Sequence, residues 1–360
     1  MTAPPRTAEL TRHAVAAGAA TLPVDELRGG AGPVVVLLGG VHGDEPEGVL
    51  AVRRIVAELR GRELRGSIRA LAVANPLAHA ADARCTPAEA ALADAARAPD
   101  PAGGGAAGAE PDGGNLARAF PGDAAGGPTA RLAAAIMRDV LVGADLLIDL
   151  HSAGRAGAMP LFCGFLAGGD AAVAARSRAA AEAFAAPLTW AHDAIGPGRT
   201  LSAAATLGIP AIYAEAGGGG EVRGAELDAL VGGTLRALAS LGMLPAERAI
   251  SGSDRPRDCP RGLIRGGDGD LDASLIAHAD GLFITRTHAG AHVRAGDLLG
   301  EMWEGERLVA PRDGIVMFLR RDARVAAGDS LALIAPPPAL AAPPAPPATP
   351  APAAPEEAAR

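Results

Sequence analysis

The stretch VVVLLGGVHGDEPEG, residues Val34 to Gly48, decides the fold. A run of β-branched and leucine residues ends in two glycines, and His42, Asp44, Glu45 and Glu47 follow at once. A short continuous apolar run bounded by turn residues reads as a strand buried on both faces. From Glu47 the period changes, and Val49, Val52, Val56 and Leu59 fall on one face of a helix. The run therefore predicts a buried strand that delivers a histidine and several carboxylates at its carboxyl end.

The same signature recurs along the chain. Strands are predicted at 68–76 (IRALAVANP), 144–152 (ADLLIDLHS), 159–166 (MPLFCGFL) and 209–218 (IPAIYAEAGG). Between them, Thr129–Val142 repeats Leu132, Ile136 and Val140, with Thr129 as the expected N-cap and Gly143 as the stop. Ala171–Ala185 and Ala225–Leu241 also read as helices. Continuous apolar strands alternating with amphipathic helices predict an α/β sheet covered on both faces.

The chain has 360 residues, enough for a large domain and a smaller one. All 33 basic residues are arginine, which excludes chemistry that needs a lysine, such as a Schiff base. A net charge of −8 argues against a nucleic-acid or anionic-membrane surface and is covered by ordinary solubility. Cys85, Cys163 and Cys259 are scattered and odd in number, so free buried thiols are expected rather than a disulfide framework. The first twenty residues lack the uninterrupted apolar core of a signal peptide, and no stretch has the length and apolarity of a membrane span. The expectation is a cytoplasmic protein.

Four regions follow from these patterns: an N-terminal segment 1–32, an α/β domain 33–250, a β-domain 256–335 and a disordered Pro/Ala-rich tail 336–360. Residues 86–111 are Ala, Gly and Pro of low complexity and read as an inserted loop. After the break near 251–262 the pattern becomes all-β, with short strands and Gly–Asp turns. Its repeats VRAGDLL and VAAGDSL, with APRDGIV, resemble the biotinyl/lipoyl barrel-sandwich family. Carriers of that family hold their cofactor on a lysine. With no lysine here, only the fold carries over, and the domain reads as a lid, a spacer or a contact between copies of the chain.

Three predicted strand ends deliver chemistry: His42 and Glu45 after the first, His151 at the end of DLHS, and Glu215 at the end of YAEA. In open α/β sheets ligands bind outside the carboxyl ends of strands. Two imidazoles and a carboxylate suit catalytic zinc, which leaves a fourth position for water and lowers its pKa. A further carboxylate must then move the proton, and Glu215 is the spare one. For Asp44 and Glu47 the simpler reading is stabilisation of a helix N-terminus. Asp149 either orients His151 or is a buried strand carboxylate. Tyr213 shares a sheet face with Glu215 by period two, so it either reaches the pocket or is a core tyrosine. His192 and Arg199 lie in a loop before a helix. His288 and His292 read as surface residues unless the β-domain caps the site.

GGVHGDEPEG, VANPLAHAADAR, DGGNLARAFPG, DLHSAG and AEAGG, in that order over residues 33–242, together resemble the succinylglutamate desuccinylase/aspartoacylase family, relatives of the zinc carboxypeptidases. The resemblance implies a mixed α/β sheet of the zinc carboxypeptidase kind. It implies one Zn2+ per chain, held by His42, Glu45 and His151, with Glu215 as general acid/base. It makes Arg84 the arginine that polarises the scissile carbonyl and Arg118 the one that pairs with the substrate carboxylate. On its position alone, against the insert, Arg84 reads as a surface charge. Where the family has N-L-N-R this chain has Ala117 before Arg118, so Asn115 is the amide left to assist that carboxylate.

The implied reaction is hydrolysis of a small N-acyl amino acid, and some members of the group deacetylate acetyl-diaminobutyrate. The partner is a small molecule, with self-association as the further expectation. The alternatives are a metallocarboxypeptidase acting on peptides and a non-catalytic scaffold.

Overall fold

The computed structural model of the chain describes residues 4–88, 114–245, 262–267, 274–303 and 305–340. The strands of the first part are β1 (Arg6–Thr7), β2 (Glu9–Ala17), β3 (Ala20–Arg28), β4 (Gly30–Gly39), β5 (Glu63–Leu71), β6 (Leu146–Ser152), β7 (Gly157–Ala158), β8 (Phe162–Leu166), β9 (Leu188–His192), β10 (Ala211–Ala216) and β11 (Gly262–Arg265). Its helices are α1 (Pro46–Leu59), α2 (Pro76–Ala80), α3 (Pro128–Ala135), α4 (Ala171–Phe184), α5 (Thr200–Thr206) and α6 (Gly224–Ser240).

The main sheet runs β2-β3-β5-β4-β6-β10-β8-β9-β11, with β1 on β5. Its centre, β5-β4-β6-β10, is parallel. The β10–β8 and β3–β5 pairs are antiparallel, so the sheet is mixed, as expected.

Period two divides the side chains of each central strand between two cores. Val35, Leu37, Ile148, Leu150, Ile212 and Ala214 point into the layer of α1, α4 and α6. Val36, Leu38 and Leu147 point into the layer of α3 and α5. The strands are therefore apolar on both sides, which is why they read as continuous runs. Asp149 and His151 continue the second face of β6, and Tyr213 and Glu215 that of β10. The parallel register sets Tyr213 beside Asp149 and Glu215 beside His151.

Several sequence expectations need correction. Residues 1–32 are not a separate segment, because β2 and β3 form a hairpin that extends the main sheet from β5. Gly262–Arg265, placed in the β-domain, pairs with β9 and belongs to the main sheet. Thr129 is not an N-cap. Helix α3 starts at Pro128 after Gly127, and Thr129 is buried in its first turn. Proline's fixed φ suits the first helical position, where no N–H is needed.

The β-domain contains β12 (Leu275–Ile276), β13 (Gly281–Thr285), β14 (His292–Val293), β15 (Leu298–Met302), β16 (Arg307–Val309), β17 (Gly314–Arg320), β18 (Arg324–Val325) and β19 (Ser330–Ala335). These form two small sheets, β12-β19-β17-β14 and β16-β15-β13-β18. Phe283, Leu299, Val316, Leu331 and Ile334 fill a core shared by both sheets, a sandwich as the repeats suggested. The domain is fastened to the α/β domain where β17 pairs with β7. Ile315, Met317 and Leu333 also pack against Met159, Phe162 and Trp190. Ala339–Leu340, placed in the expected tail, form β20 and pair with β11.

The insert beyond residue 88, Cys259 and residues 341–360 lie outside the described residues. Cys85 and Cys163 are free thiols, and Cys163 is buried. Among the described residues no helix is long and apolar enough to cross a membrane.

Candidate metal centre and active site

Two glycines bring the first strand end to the second. Gly40 turns the chain out of β4 at φ +58°, a left-handed conformation that glycine adopts without strain. Gly48 lies in the first turn of α1, where a Cβ would fall 2.0 Å from the carbonyl oxygen of Leu150 in β6. Only glycine lets α1 lean this closely on β6. Glu45 is the N-cap residue of α1, followed by Pro46. Its carboxylate reaches over the end of β6 and accepts from the backbone N–H of Ser152 at 3.2 Å.

Three side chains converge there. Glu45 Oε1 is 2.8 Å from His42 Nδ1, and Glu45 Oε2 is 2.9 Å from His151 Nδ1. All three residues are buried, and one donor atom from each lies within 4.8 Å of the others.

The outer ring nitrogens fix the tautomers. His42 Nε2 is 3.1 Å from Asn115 Oδ1, which also accepts from the backbone N–H of Ala117 at 2.9 Å. That second bond identifies the Asn115 atom as the carbonyl oxygen, so His42 Nε2 must donate. His151 Nε2 lies 3.0 Å from Asp149 Oδ2, an acceptor that also takes the Thr200 hydroxyl at 2.6 Å. When neutral, each imidazole therefore turns an Nδ1 lone pair toward the Glu45 carboxylate. In that form the three acceptors could share a metal ion. Ligand histidines whose far nitrogen donates to a carbonyl or carboxylate are the usual arrangement at such sites.

The electrostatics separate the two histidines: His42 is held neutral, whereas His151 keeps a proton that a metal ion would have to displace. Burial and the nearby Arg84 charge hold His42 below the usual imidazole range, so its lone pair is available. Burial opposes charge on His151, but Asp149 and Glu45 outweigh it and raise its pKa well above the usual value. Burial also opposes ionisation of Glu45, and His42 and His151 overcome it and keep the carboxylate charged.

Beside the cluster is a cavity of about 70 Å³. His42, His151 and Glu215 line it, as do Arg84, Arg118, Arg199 and Tyr213. Glu215 is buried, and its Oε2 has no hydrogen-bond partner. Burial above all, with help from Glu45 and Asp149, holds its pKa well above the usual carboxylate value. Arg84 is partly exposed, but its Nη1 reaches into the cluster and donates to Glu45 Oε1 at 2.9 Å. Tyr213 lines the cavity and its hydroxyl meets His192 at 2.8 Å.

Asn115 was expected on the substrate side. Its carbonyl oxygen is instead committed to His42 and Ala117, and the residue is absent from the cavity wall. Glu47 is more than a helix-end charge, since it is buried and accepts from the Ser152 hydroxyl at 2.7 Å. His288 and His292 are exposed and do not line the cavity. Sequence reasoning missed Thr200, which has no motif of its own; only the fold carries α5 against β6.

The succinylglutamate desuccinylase/aspartoacylase catalytic domain matches residues 31–241. The chain belongs to this family. It is an amide-hydrolysing deacylase of small N-acyl amino acids, as other members are. Among family relatives, the N-alpha-acetyl-L-2,4-diaminobutyric acid deacetylase of Halomonas elongata is 29% identical over 331 residues, covering 88% of this chain and 86% of the relative. A succinylglutamate desuccinylase/aspartoacylase from Rhodobacter sphaeroides superposes with a TM-score of 0.73 at 28% identity, covering 93% of this chain and 97% of that one. The product-bound ectoine utilization protein EutE (DoeB) of Ruegeria pomeroyi gives 0.72 at 27% identity, with coverage of 88% and 89%.

Proposed function

We propose that the chain hydrolyses the amide of a small N-acyl amino acid with one zinc ion held by His42, Glu45 and His151, and with Glu215 as general acid and base. The observation that carries this is the pair of outer-nitrogen contacts. Asn115 and Asp149 take the Nε2 protons, and both Nδ1 atoms are left facing Glu45 beside the cavity that Glu215 enters. When bound, the ion supplies a Lewis acid and an activated water.

The remaining steps belong to the chain's own residues. Glu215 takes a proton from the attacking water as the new C–O bond forms. It returns that proton to the amine as the C–N bond breaks, giving a carboxylic acid and a free amino acid. The unpaired Oε2 and the raised pKa suit a group that must hold a proton between two steps. Arg84 is tied to Glu45 through one donor and has others to offer the carbonyl oxygen as negative charge develops there. Arg118 pairs with the substrate carboxylate, which a planar guanidinium grips in two-point fashion. Ala117 presents only a methyl group at that wall, so Arg118 works without an amide beside it.

The small cavity supports a compact substrate over a peptide. The complete ligand set and the poised Glu215 support an enzyme over a scaffold. The Halomonas elongata relative is named as a deacetylase, so acetyl amides are the first to test.

The test is free-amine release from a panel of acetyl, succinyl and aspartyl amides, with metal analysis of wild type beside His42→Ala. The expected result is about one zinc per wild-type chain, little in the variant, and release from at least one amide. A wild type that takes up no metal when zinc is supplied would overturn the proposal.

A further inference from the structure

Tyr213 and His192 stand on strands that are not neighbours, because β8 runs between β10 and β9. The gap is bridged at Gly164 of β8, the register partner of Tyr213. A Cβ on Gly164 would lie 2.1 Å from the tyrosine ring, so only a glycine lets the ring lie across the strand. Its hydroxyl then reaches His192 Nε2 at 2.8 Å.

The rest of the surroundings pin this arrangement. His192 is fully buried, and its ring lies against Trp190, with centroids 4.7 Å apart. Trp190 is tied in turn through its Nε1, which donates to the Gly266 carbonyl at 2.7 Å. Phe162 meets the Tyr213 ring edge-on at 5.6 Å. Two of the chain's few aromatic rings, Trp190 and Phe162, thus hold one histidine and one tyrosine, and of that pair Tyr213 lines the cavity.

We propose that His192 is a positioning residue, which holds Tyr213 across β8 so that the hydroxyl meets a hydrogen-bonding group of the substrate beyond the reacting amide. This rests on the deacylase reading above. Tyr213 lies two residues before Glu215, about 6–7 Å back along the strand at ~3.3 Å per residue. The ring also leans across β8 toward His192, away from β6 and the cluster, which leaves the reacting carbonyl to Glu215 and Arg84. A contact remote from the reacting atoms acts on the bound substrate and the transition state alike, so its loss raises KM and leaves kcat.

The experiment compares Tyr213→Phe, His192→Phe, His192→Gln and the Tyr213→Phe/His192→Phe double variant in the zinc-loaded full chain, with KM, kcat and zinc content measured for each. A net hydrogen bond of the ordinary size corresponds to about a tenfold effect. Tyr213→Phe and His192→Phe should each raise KM about tenfold, with kcat within about threefold and zinc unchanged. The double variant should be no worse than either single one, because both remove the same contact. His192→Gln, whose amide can restore the bond to the hydroxyl, should recover most of the loss.

Multiplying effects in the double variant, or a glutamine variant no better than the phenylalanine one, would overturn the proposal. So would a fall in kcat at unchanged KM. If His192→Phe fails to fold, the Tyr213→Phe and His192→Gln pair decides: a raised KM in the first and near-wild-type kinetics in the second support the proposal, and any other pattern overturns it. A wild type inactive on every amide overturns the deacylase reading and this proposal together, whereas the outcomes above sink this one alone.

Discussion

Asn115 Oδ1 stands 3.1 Å from His42 Nε2, and the backbone N–H of Ala117 holds that oxygen in place. The amide that the family resemblance assigned to the substrate therefore sets the tautomer of His42, a proposed metal ligand. Asn115→Leu should weaken zinc binding by about 10- to 100-fold, the usual cost of losing such a partner. Asn115→Asp keeps an acceptor and should bind zinc nearly as well as wild type. Competition with a chelating dye measures both. Equal affinity in the leucine variant would show that the contact does not order His42.

Gly48 is the point where helix and strand touch. Gly48→Ala places a methyl group 2.0 Å from the Leu150 carbonyl, against backbone on both sides. Helix α1 must then shift, and Glu45 moves with it. The expected outcome is a loss of stability of about 1–3 kcal/mol, typical of overpacking, together with weakened zinc binding. Thermal melts with and without added zinc read both effects. A variant with wild-type zinc affinity would show that the approach of α1 to β6 does not set the site.

Glu215 is the proposed proton carrier and lies outside the proposed ligand set. Glu215→Gln should retain zinc and lose about 10²–10⁴ in kcat, the range for removing a general acid or base. Near-wild-type turnover in that variant would place the base elsewhere.

Arg118 separates binding from chemistry. Arg118→Ala should lower kcat/KM by about tenfold or more on a carboxylate-bearing amide, since hydrogen bonds to charged groups contribute ~1.5–3 kcal/mol. The same variant should act on the matching neutral amide as wild type does. Equal losses on both would make Arg118 structural.

Much of this was legible in the chain. The central strands announce themselves because both faces are buried, which leaves an unbroken apolar run ending in glycine. His42 and Glu45 could be paired because a helix starts immediately after them at Pro46. The N-terminal hairpin was missed for a physical reason: alanine dominates AVAAGAATL, and its small side chains blur the period-two contrast that marks a strand. Thr200, His192 and the true partner of Asn115 were invisible for another reason. Each acts through a residue 21 to 73 positions away, and only the sheet register and the packing of α5 bring them together.

The most direct measurement is a zinc titration of metal-stripped protein, following amine release from its best N-acyl amino acid. Activity should be absent without metal, rise linearly and reach its plateau at one equivalent per chain, with His151→Ala showing no rise. Full activity in the stripped protein, or a rise in the variant that matches wild type, would contradict the assignment of His42, Glu45 and His151 as the metal site.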